Sequence, residues 1–122
     1  MEFIADENYQ VEAQTTWWQN LAVSLDSVSR IFKHASVGMN KAELEAQLDT
    51  IHNAYAVAHR VTMPVNIQAQ LIAAICNIQM SYCARYEGQK RQSATFHRIA
   101  QVEWILFQEL LKTEGINFRT SY

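Results

Sequence analysis

The stretch VTMPVNIQAQLIAAICNIQMSYCA, residues 61–84, contains no Asp, Glu, Lys or Arg. Its apolar residues recur every three or four positions, which is the spacing of one face of a helix. One row consists of Ile67, Leu71, Ala74, Ile75, Ile78 and Tyr82. A second row, on another face, consists of Val65, Ala69, Ile72, Cys76, Met80 and Cys83. Because a helix that is apolar nearly all round is a buried helix, we expect this one to be the centre around which the other helices pack.

The same stretch is not predicted to cross a membrane. A spanning helix needs about 20 predominantly apolar residues. Six polar side chains interrupt this one, namely Asn66, Gln68, Gln70, Asn77, Gln79 and Ser81. Their polar groups would need hydrogen-bond partners that hydrocarbon does not supply, so we expect a core helix and no membrane partner.

Length and composition favour a single globular domain over residues 1–122, of which 49% are hydrophobic. The formal net charge of -2 provides no overall attraction to nucleic acid or anionic lipid. The first seven residues are acidic and lack the apolar segment of a signal peptide, so we expect a cytoplasmic protein. Cys76 and Cys83 would lie about 10 Å apart along one helix, too far for a disulfide, and are expected to be reduced.

Two helices are predicted before the central one, after an acidic lead-in over residues 1–8. The core row of the first consists of Val11, Trp18, Leu21, Leu25, Val28, Phe32 and Ala35. Gly38 is expected to end that helix. Asn40 and Glu43 have the spacing of a capping box and begin the second helix, which Pro64 ends. The core row of the second helix consists of Leu44, Leu48, Ile51, Tyr55, Ala58 and Thr62.

The last helix is predicted to begin between Gln89 and Ser93 and to end at Gly115, with residues 117–122 as a flexible tail. Its core row is expected to be Phe96, Ile99, Leu106 and Leu110, interrupted by Glu103. Four helices with short connections predict an all-α antiparallel four-helix bundle with a buried third helix. In an alternative, the last two helices form a long hairpin and a partner chain supplies part of the first two.

The last helix carries more apolar residues than one bundle face requires. A second row consists of Ala100, Trp104, Phe107 and Leu111. Trp17 and Trp18 are adjacent, so the two indoles cannot point the same way. Large exposed apolar patches mark interfaces, and Trp is a frequent interface anchor. We therefore expect a homodimer whose interface includes Trp17, Trp104, Phe107 and Leu111.

Basic residues cluster around the predicted turn between the third and fourth helices. Residues 85–98 contain four basic side chains and one acid, Glu87, a net charge of +3. The basic residues are Arg85, Lys90, Arg91 and Arg98. This basic patch is expected to be either an ordinary solvated turn or a surface for phosphate or an acidic partner, and through it nucleic acid stays an open though less favoured partner.

The segment Arg91-Gln-Ser-Ala-Thr-Phe-His97 inside this patch resembles the Arg-polar-x4-His signature of the HEPN superfamily. In that family the residue after Arg is often Asn, Asp or His, where this chain has Gln92. The family consists of small helical domains, many of which cleave RNA, usually across a dimer. The resemblance implies that Arg91 would stabilise the scissile phosphate and that His97 would assist proton transfer.

Metal-ligand patterns are incomplete. Asp49 and His52 have the i, i+3 spacing of di-metal bundles, but no second helix carries a Glu-x-x-His. Cys76, Met80 and Cys83 share a helical face, which is typical of core packing and less often of a site for soft metals. We expect no metal and no cofactor.

The function favoured by these patterns is a non-enzymatic helical protein–protein interaction module, such as an adaptor, an inhibitor or an assembly subunit, present as a homodimer. The alternatives are a HEPN-like ribonuclease that uses Arg91 and His97, and a helical bundle that binds a small ligand or a metal.

Overall fold

The computed structural model describes the backbone of residues 2–34 and 36–116, and the side chains from Trp17 onward within those ranges. It contains four helices: α1 (Glu2–Lys33), α2 (Lys41–Arg60), α3 (Val65–Tyr86) and α4 (Lys90–Thr113). These described ranges include no β-strand. The all-α class is confirmed.

The helices form an antiparallel bundle in which each helix packs against the next, and α1 also contacts α4. The packing is most extensive between α3 and both α2 and α4. A single hydrophobic core contains residues from all four helices. The alternative in which a partner chain supplies part of the first two helices is therefore not what the structure shows, because α1 and α2 of the same chain cover this core.

The two apolar rows of α3 differ in burial. All six residues of the first row are buried, as predicted. In the second row, Val65, Ala69, Met80 and Cys83 are exposed, while Ile72 and Cys76 are half-buried. The prediction that Met80 and Cys83 pack in the core was wrong, because these side chains line an open groove between α3 and α4 and no described side chain covers them. Both cysteines are free.

Polar residues of α3 fix its position beside α4. Gln70 Nε2 donates to the Glu103 carbonyl at 3.1 Å. Asn77 Nδ2 donates to the Glu103 carboxylate, and also to the Ala73 carbonyl at 3.1 Å. Glu103, which interrupts an apolar row of α4 in the sequence, is thus held by two amides of the neighbouring helix. These bonds specify how far α3 and α4 are shifted along each other.

The helix boundaries follow the capping signals. Asn40 accepts from the Glu43 amide at 2.8 Å, and the Glu43 carboxylate accepts from the Asn40 amide at 3.1 Å, so the predicted capping box is present. Pro64 immediately precedes α3. Gly88 and Gly115 have φ angles of +79° and +76° and follow the ends of α3 and α4. A left-handed residue at this position lets the next amides bond back to the last turn, which explains both glycines.

The ends of α1 and α2 differ from the prediction. α1 begins at Glu2, inside the predicted lead-in, and ends at Lys33, before Gly38. α2 ends at Arg60, so Thr62 lies in the following loop. Carbonyls in the last turns of these helices have partners from other helices: Gln101 Nε2 donates to the Phe32 carbonyl and Gln68 Nε2 to the Ala58 carbonyl, both at 3.0 Å. The side chains of Val11 and Ala35 and the tail 117–122 lie outside the described residues.

The core row predicted for α4 was wrong. Ile99 and Leu106 are 43% and 49% exposed, and Phe96 and Leu110 are only half-buried. The buried row is instead Ser93, His97, Ala100, Trp104, Phe107 and Leu111. The physical reason is aromatic packing: the Trp104 ring stacks on Phe32 of α1, with centroids 4.4 Å apart and an interplanar angle of 10°. Large aromatic rings remove the most apolar surface from water, so this row faces the core.

The predicted interface residues share this burial. Trp17 is 9% exposed and Trp104 is 4% exposed, while Phe107 and Leu111 are fully buried. Trp17 packs edge-to-face on the half-buried Trp18, with centroids 6.2 Å apart. The predicted homodimer interface of Trp17, Trp104, Phe107 and Leu111 assumed that these residues lie outside the chain's own core, and that assumption was wrong, because all four belong to it.

Candidate functional site

The strongest candidate for a binding surface is the side of α4 that points away from the core. Four aliphatic side chains there are 43–58% exposed. They are Ile99, Val102, Ile105 and Leu106, and we call this set the α4 outer face. Their spacing of three and four residues places them along one stripe of the helix, opposite the buried row. This is the feature predicted as surplus apolar surface, but it lies on the other side of the helix.

Charged residues of opposite sign flank the α4 outer face. Arg91 and Arg98 lie toward the start of α4 and are exposed. Glu109 and Glu114 lie toward its end and are also exposed. Lys112 Nζ forms an i, i+3 ion pair with Glu109 at 3.2 Å, in which both side chains are 59% exposed. The stripe therefore has a basic end, an apolar middle and a more acidic end.

A groove of about 620 Å³ lies beside this face, between the end of α3 and the start of α4. It is lined by Met80, Cys83, Ala84, Glu87, Gln89, Arg91, Gln92, Thr95 and Phe96. Burial and the nearby Glu87 carboxylate raise the pKa of the Cys83 thiol, and burial and Glu103 raise that of Cys76. Both shifts favour the protonated thiol, so neither cysteine has the character of an activated nucleophile.

A smaller cleft of about 170 Å³ lies where the α1–α2 loop meets the end of α3 and the first turns of α4. It is lined by Ser36, Val37, Ser81, Arg85, Ser93, Ala94, His97 and Arg98. Arg85 Nε donates to Ser36 Oγ at 3.2 Å, and Ser81 Oγ donates to the Ser93 carbonyl at 2.7 Å. The cleft thus combines two guanidinium groups, an imidazole and three hydroxyls. We call it the cationic cleft.

His97 is the most buried ionisable side chain of the cationic cleft, at 8% exposure. Burial lowers its pKa from the ordinary value of 6.5, since the charged form loses hydration. The Phe32 carbonyl lies close enough to oppose this shift in part. Neither ring nitrogen, however, reaches hydrogen-bonding geometry with any described group.

The structure divides the predicted basic patch. Arg85 and Arg98 line the cationic cleft, Arg91 lines the groove, and Lys90 is exposed at the first residue of α4. Arg91 and His97, which the HEPN resemblance pairs, thus line different cavities and lie on different sides of α4. Within one chain they are not brought together around a common ligand.

The remaining predicted chemistry finds no assembled centre. Among the described side chains, no group of three or more His, Cys, Asp or Glu is arranged to hold a metal ion. Over the same part of the chain, none of the helices combines the length and apolarity needed to cross a bilayer.

Comparisons with protein-family models, with curated proteins and with solved structures returned no match to this chain. The HEPN resemblance therefore depends on residues 91–97 alone. Function has to be argued from the surfaces and cavities of the chain itself.

Sequence analysis missed the hydroxyls of the cationic cleft. Ser81 and Ser93 are buried and lie 3.3 Å apart between their Oγ atoms. The sequence contains a signal for both serines. Ser81 is a polar residue within the otherwise mainly apolar stretch 61–84, and Ser93 stands at the start of the α4 row that continues with His97 and Ala100 at helical spacing. Ser36 had no such signal, since only tertiary packing brings its loop against α3.

Proposed function

We propose that the chain is a non-enzymatic helical protein–protein interaction module that forms a homodimer through the α4 outer face. The observation that carries this proposal is the exposure of four aliphatic side chains along one stripe of a helix whose opposite stripe is fully buried. Exposed contiguous apolar surface of this kind marks interfaces in water-exposed proteins. Adaptors, inhibitors and assembly subunits all use such surfaces.

The arrangement of the stripe favours a second copy as the partner. In an antiparallel pair of α4 helices related by a two-fold axis, residues equally far from the axis face each other. The midpoint of Val102 and Ile105 along the helix lies between residues 103 and 104. The midpoint of Ile99 and Leu106 lies one residue earlier, between residues 102 and 103. The two centres differ by one residue, about 1.5 Å along the helix, so an axis placed between them brings all four aliphatic side chains to the contact with their copies.

One pair of flanking charges shares the first of these centres. Arg98 and Glu109 are symmetric about the point between residues 103 and 104. The antiparallel pairing that buries the apolar middle therefore also places a basic end against an acidic end. Such complementarity fixes register and orientation more than it raises affinity.

The expected dimer is weak. Burial of a whole Val, Leu or Ile side chain contributes about 1.5–3 kcal/mol, so each half-exposed residue contributes about half of that. Association of two rigid bodies costs about 4 kcal/mol or more. We therefore expect a reversible dimer that forms at micromolar concentrations and dissociates on dilution.

Sedimentation equilibrium of the wild type and of variants tests the proposal, in reducing buffer because Cys83 is exposed and free. Replacing Val102 and Ile105 together by Glu should give a folded monomer, since like charges then meet at the axis. The matched control replaces Val23 and Val65 by Glu, which are 78% and 79% exposed on α1 and α3. This control should dimerise like the wild type.

A charge exchange tests the antiparallel orientation. Arg98→Glu or Glu109→Arg alone should weaken the dimer at low ionic strength, and the two together should restore it. A wild type that stays monomeric at high concentration contradicts the homodimer, and a combined variant as weak as the single ones contradicts the antiparallel register.

A further inference from the structure

The cationic cleft has the composition of an anion site. Its lining residues include Arg85, Arg98 and His97 and no carboxylate. Guanidinium groups match the oxygen geometry of phosphate and carboxylate with paired N–H donors. The Ser36 hydroxyl, which accepts from Arg85, keeps its own donor, whereas the Ser81 hydroxyl already donates to the Ser93 carbonyl. An acidic side chain would compete with an anion for these donors, and none of the described residues that line the cleft is acidic.

The donors in the cleft are not used up by the chain's own bonds. The Arg85 bond to Ser36 uses one of the five N–H groups of the guanidinium. His97 is more than nine-tenths buried, and although the Phe32 carbonyl lies nearby, neither ring nitrogen makes a hydrogen bond of good geometry to a described residue. Buried polar atoms without partners are rare in folded proteins and call for an explanation, such as a ligand that supplies the missing contact.

We propose that the cationic cleft binds the phosphate group of a small phosphate monoester or of inorganic phosphate. Phosphate offers acceptors on all sides, which suits a cleft whose donors come from the α1–α2 loop, α3 and α4. The volume of about 170 Å³ is well below the roughly 300–1,000 Å³ of pockets for drug-sized ligands, so the organic part is small. This site is independent of the α4 outer face except for its shared edge at Arg98.

A bound phosphate would join three parts of the chain that otherwise meet through few polar contacts. Ser36 belongs to the α1–α2 loop, Arg85 to the last turn of α3, and His97 to α4. A ligand that binds only the folded arrangement stabilises it in proportion to its concentration. Phosphate binding should therefore raise the unfolding temperature, whereas chloride at the same ionic strength should not.

Calorimetric titration of the full chain with inorganic phosphate and with glycerol 3-phosphate tests the site, at constant ionic strength kept with chloride. The two ligands distinguish free phosphate from a monoester as the preferred form. Saturable binding of either is expected, with chemical-shift changes of the His97 ring in NMR spectra. Arg85→Met and His97→Gln should each weaken binding by about 10- to 100-fold, as expected for loss of a charge-assisted or buried hydrogen bond.

The matched control is Arg91→Met, which removes the same charge from the same region but outside the cleft, and its affinity should equal that of the wild type. Arg85→Lys keeps the positive charge but lacks the paired N–H donors. Its affinity for phosphate should lie between that of the wild type and that of Arg85→Met. Circular dichroism establishes that each variant is folded, and Arg98→Met replaces Arg85→Met if the latter is not. The absence of saturable binding, or an equal loss in Arg91→Met, would overturn the proposal.

Discussion

Helices α3 and α4 divide their apolar residues between inside and outside in different ways. α3 turns most of its long aliphatic side chains and Tyr82 inward, and its outer row mixes small residues with the half-buried Ile72 and the exposed Val65 and Met80. α4 turns aromatic rings inward and leaves Ile, Val and Leu on its outer face. α3 is therefore a core helix with a modest outer side, whereas α4 combines a core side with a second apolar side.

This difference assigns separate roles to the two helices. Burial of α3 on two sides, by α2 and by α4, makes it the main structural element of the bundle. α4 lies at the boundary of the bundle, where a second apolar stripe adds nothing to the core of a single chain. Residues on opposite sides of each helix should therefore respond very differently to the same substitution.

The largest contrast is expected within α4. Trp104→Ala should lower the free energy of unfolding by about 3–5 kcal/mol, because it removes the ring that stacks on Phe32 and leaves a cavity. Leu106→Ala, on the α4 outer face, should change it by about 0.5 kcal/mol or less. Urea denaturation at a protein concentration low enough to keep the chain monomeric measures both. Similar losses for the two variants would contradict the division of α4 into a buried and an open side.

The corresponding contrast in α3 comes second. Leu71 is fully buried and Met80 is 48% exposed. Leu71→Ala should cost about 2–5 kcal/mol, depending on how far the surrounding side chains collapse into the space. Met80→Ala should stay within about 0.5 kcal/mol of the wild type. A costly Met80→Ala, with Leu71→Ala tolerated, would mean that the outer row of α3 is the one that faces the core.

Freedom from charge selects α3 as the core helix and the buried row of α4, but it does not separate the two rows of α3, which are both uncharged. The α4 row that includes Trp104 and Phe107 is equally free of charge. The row expected to be buried in α4 contains Glu103, which the bundle accommodates at its edge through Asn77 and Gln70. Helix number, helix class and the capping signals at Asn40, Gly88 and Gly115 depend on local sequence, and for that reason they could be predicted.

The cationic cleft could not be predicted in this way, because it depends on contacts between distant parts of the chain. Arg85 and Ser36 are 49 residues apart, and their contact exists only because the α1–α2 loop packs against the end of α3. The nearby basic residues Lys90 and Arg91 share the sequence region but not the cleft. The cluster of basic residues in the sequence therefore indicated the right part of the molecule, but it did not distinguish the groove from the cationic cleft.

The smallest expected effect concerns His97, the one titratable residue in the buried row of α4. Burial lowers its pKa in the folded chain, and Arg85 from α3 and Arg98 from α4 are the charged groups that share its cleft. Above pH 6.5 the ring is neutral in the folded and unfolded chains, and His97 contributes no pH dependence. Below pH 6.5 the unfolded chain takes up a proton that the folded chain accepts only at lower pH. As the pH is lowered from 6.5 to the folded-state pKa, the free energy of unfolding should therefore decrease by at most about 1.4 kcal/mol per pH unit.

Comparison of variants isolates this effect from the titration of carboxylates and of the other histidines. His97→Gln should make the free energy of unfolding less dependent on pH just below 6.5. Urea titrations need a phosphate-free buffer, because phosphate in the cationic cleft would favour protonated His97 and mask the effect. Equal pH dependence in the wild type and in His97→Gln would mean that water solvates the His97 ring equally well in the folded and in the unfolded chain. The polar start of the buried row of α4 would then be open to solvent, and the contrast between its two sides would be confined to the part from Ala100 onward.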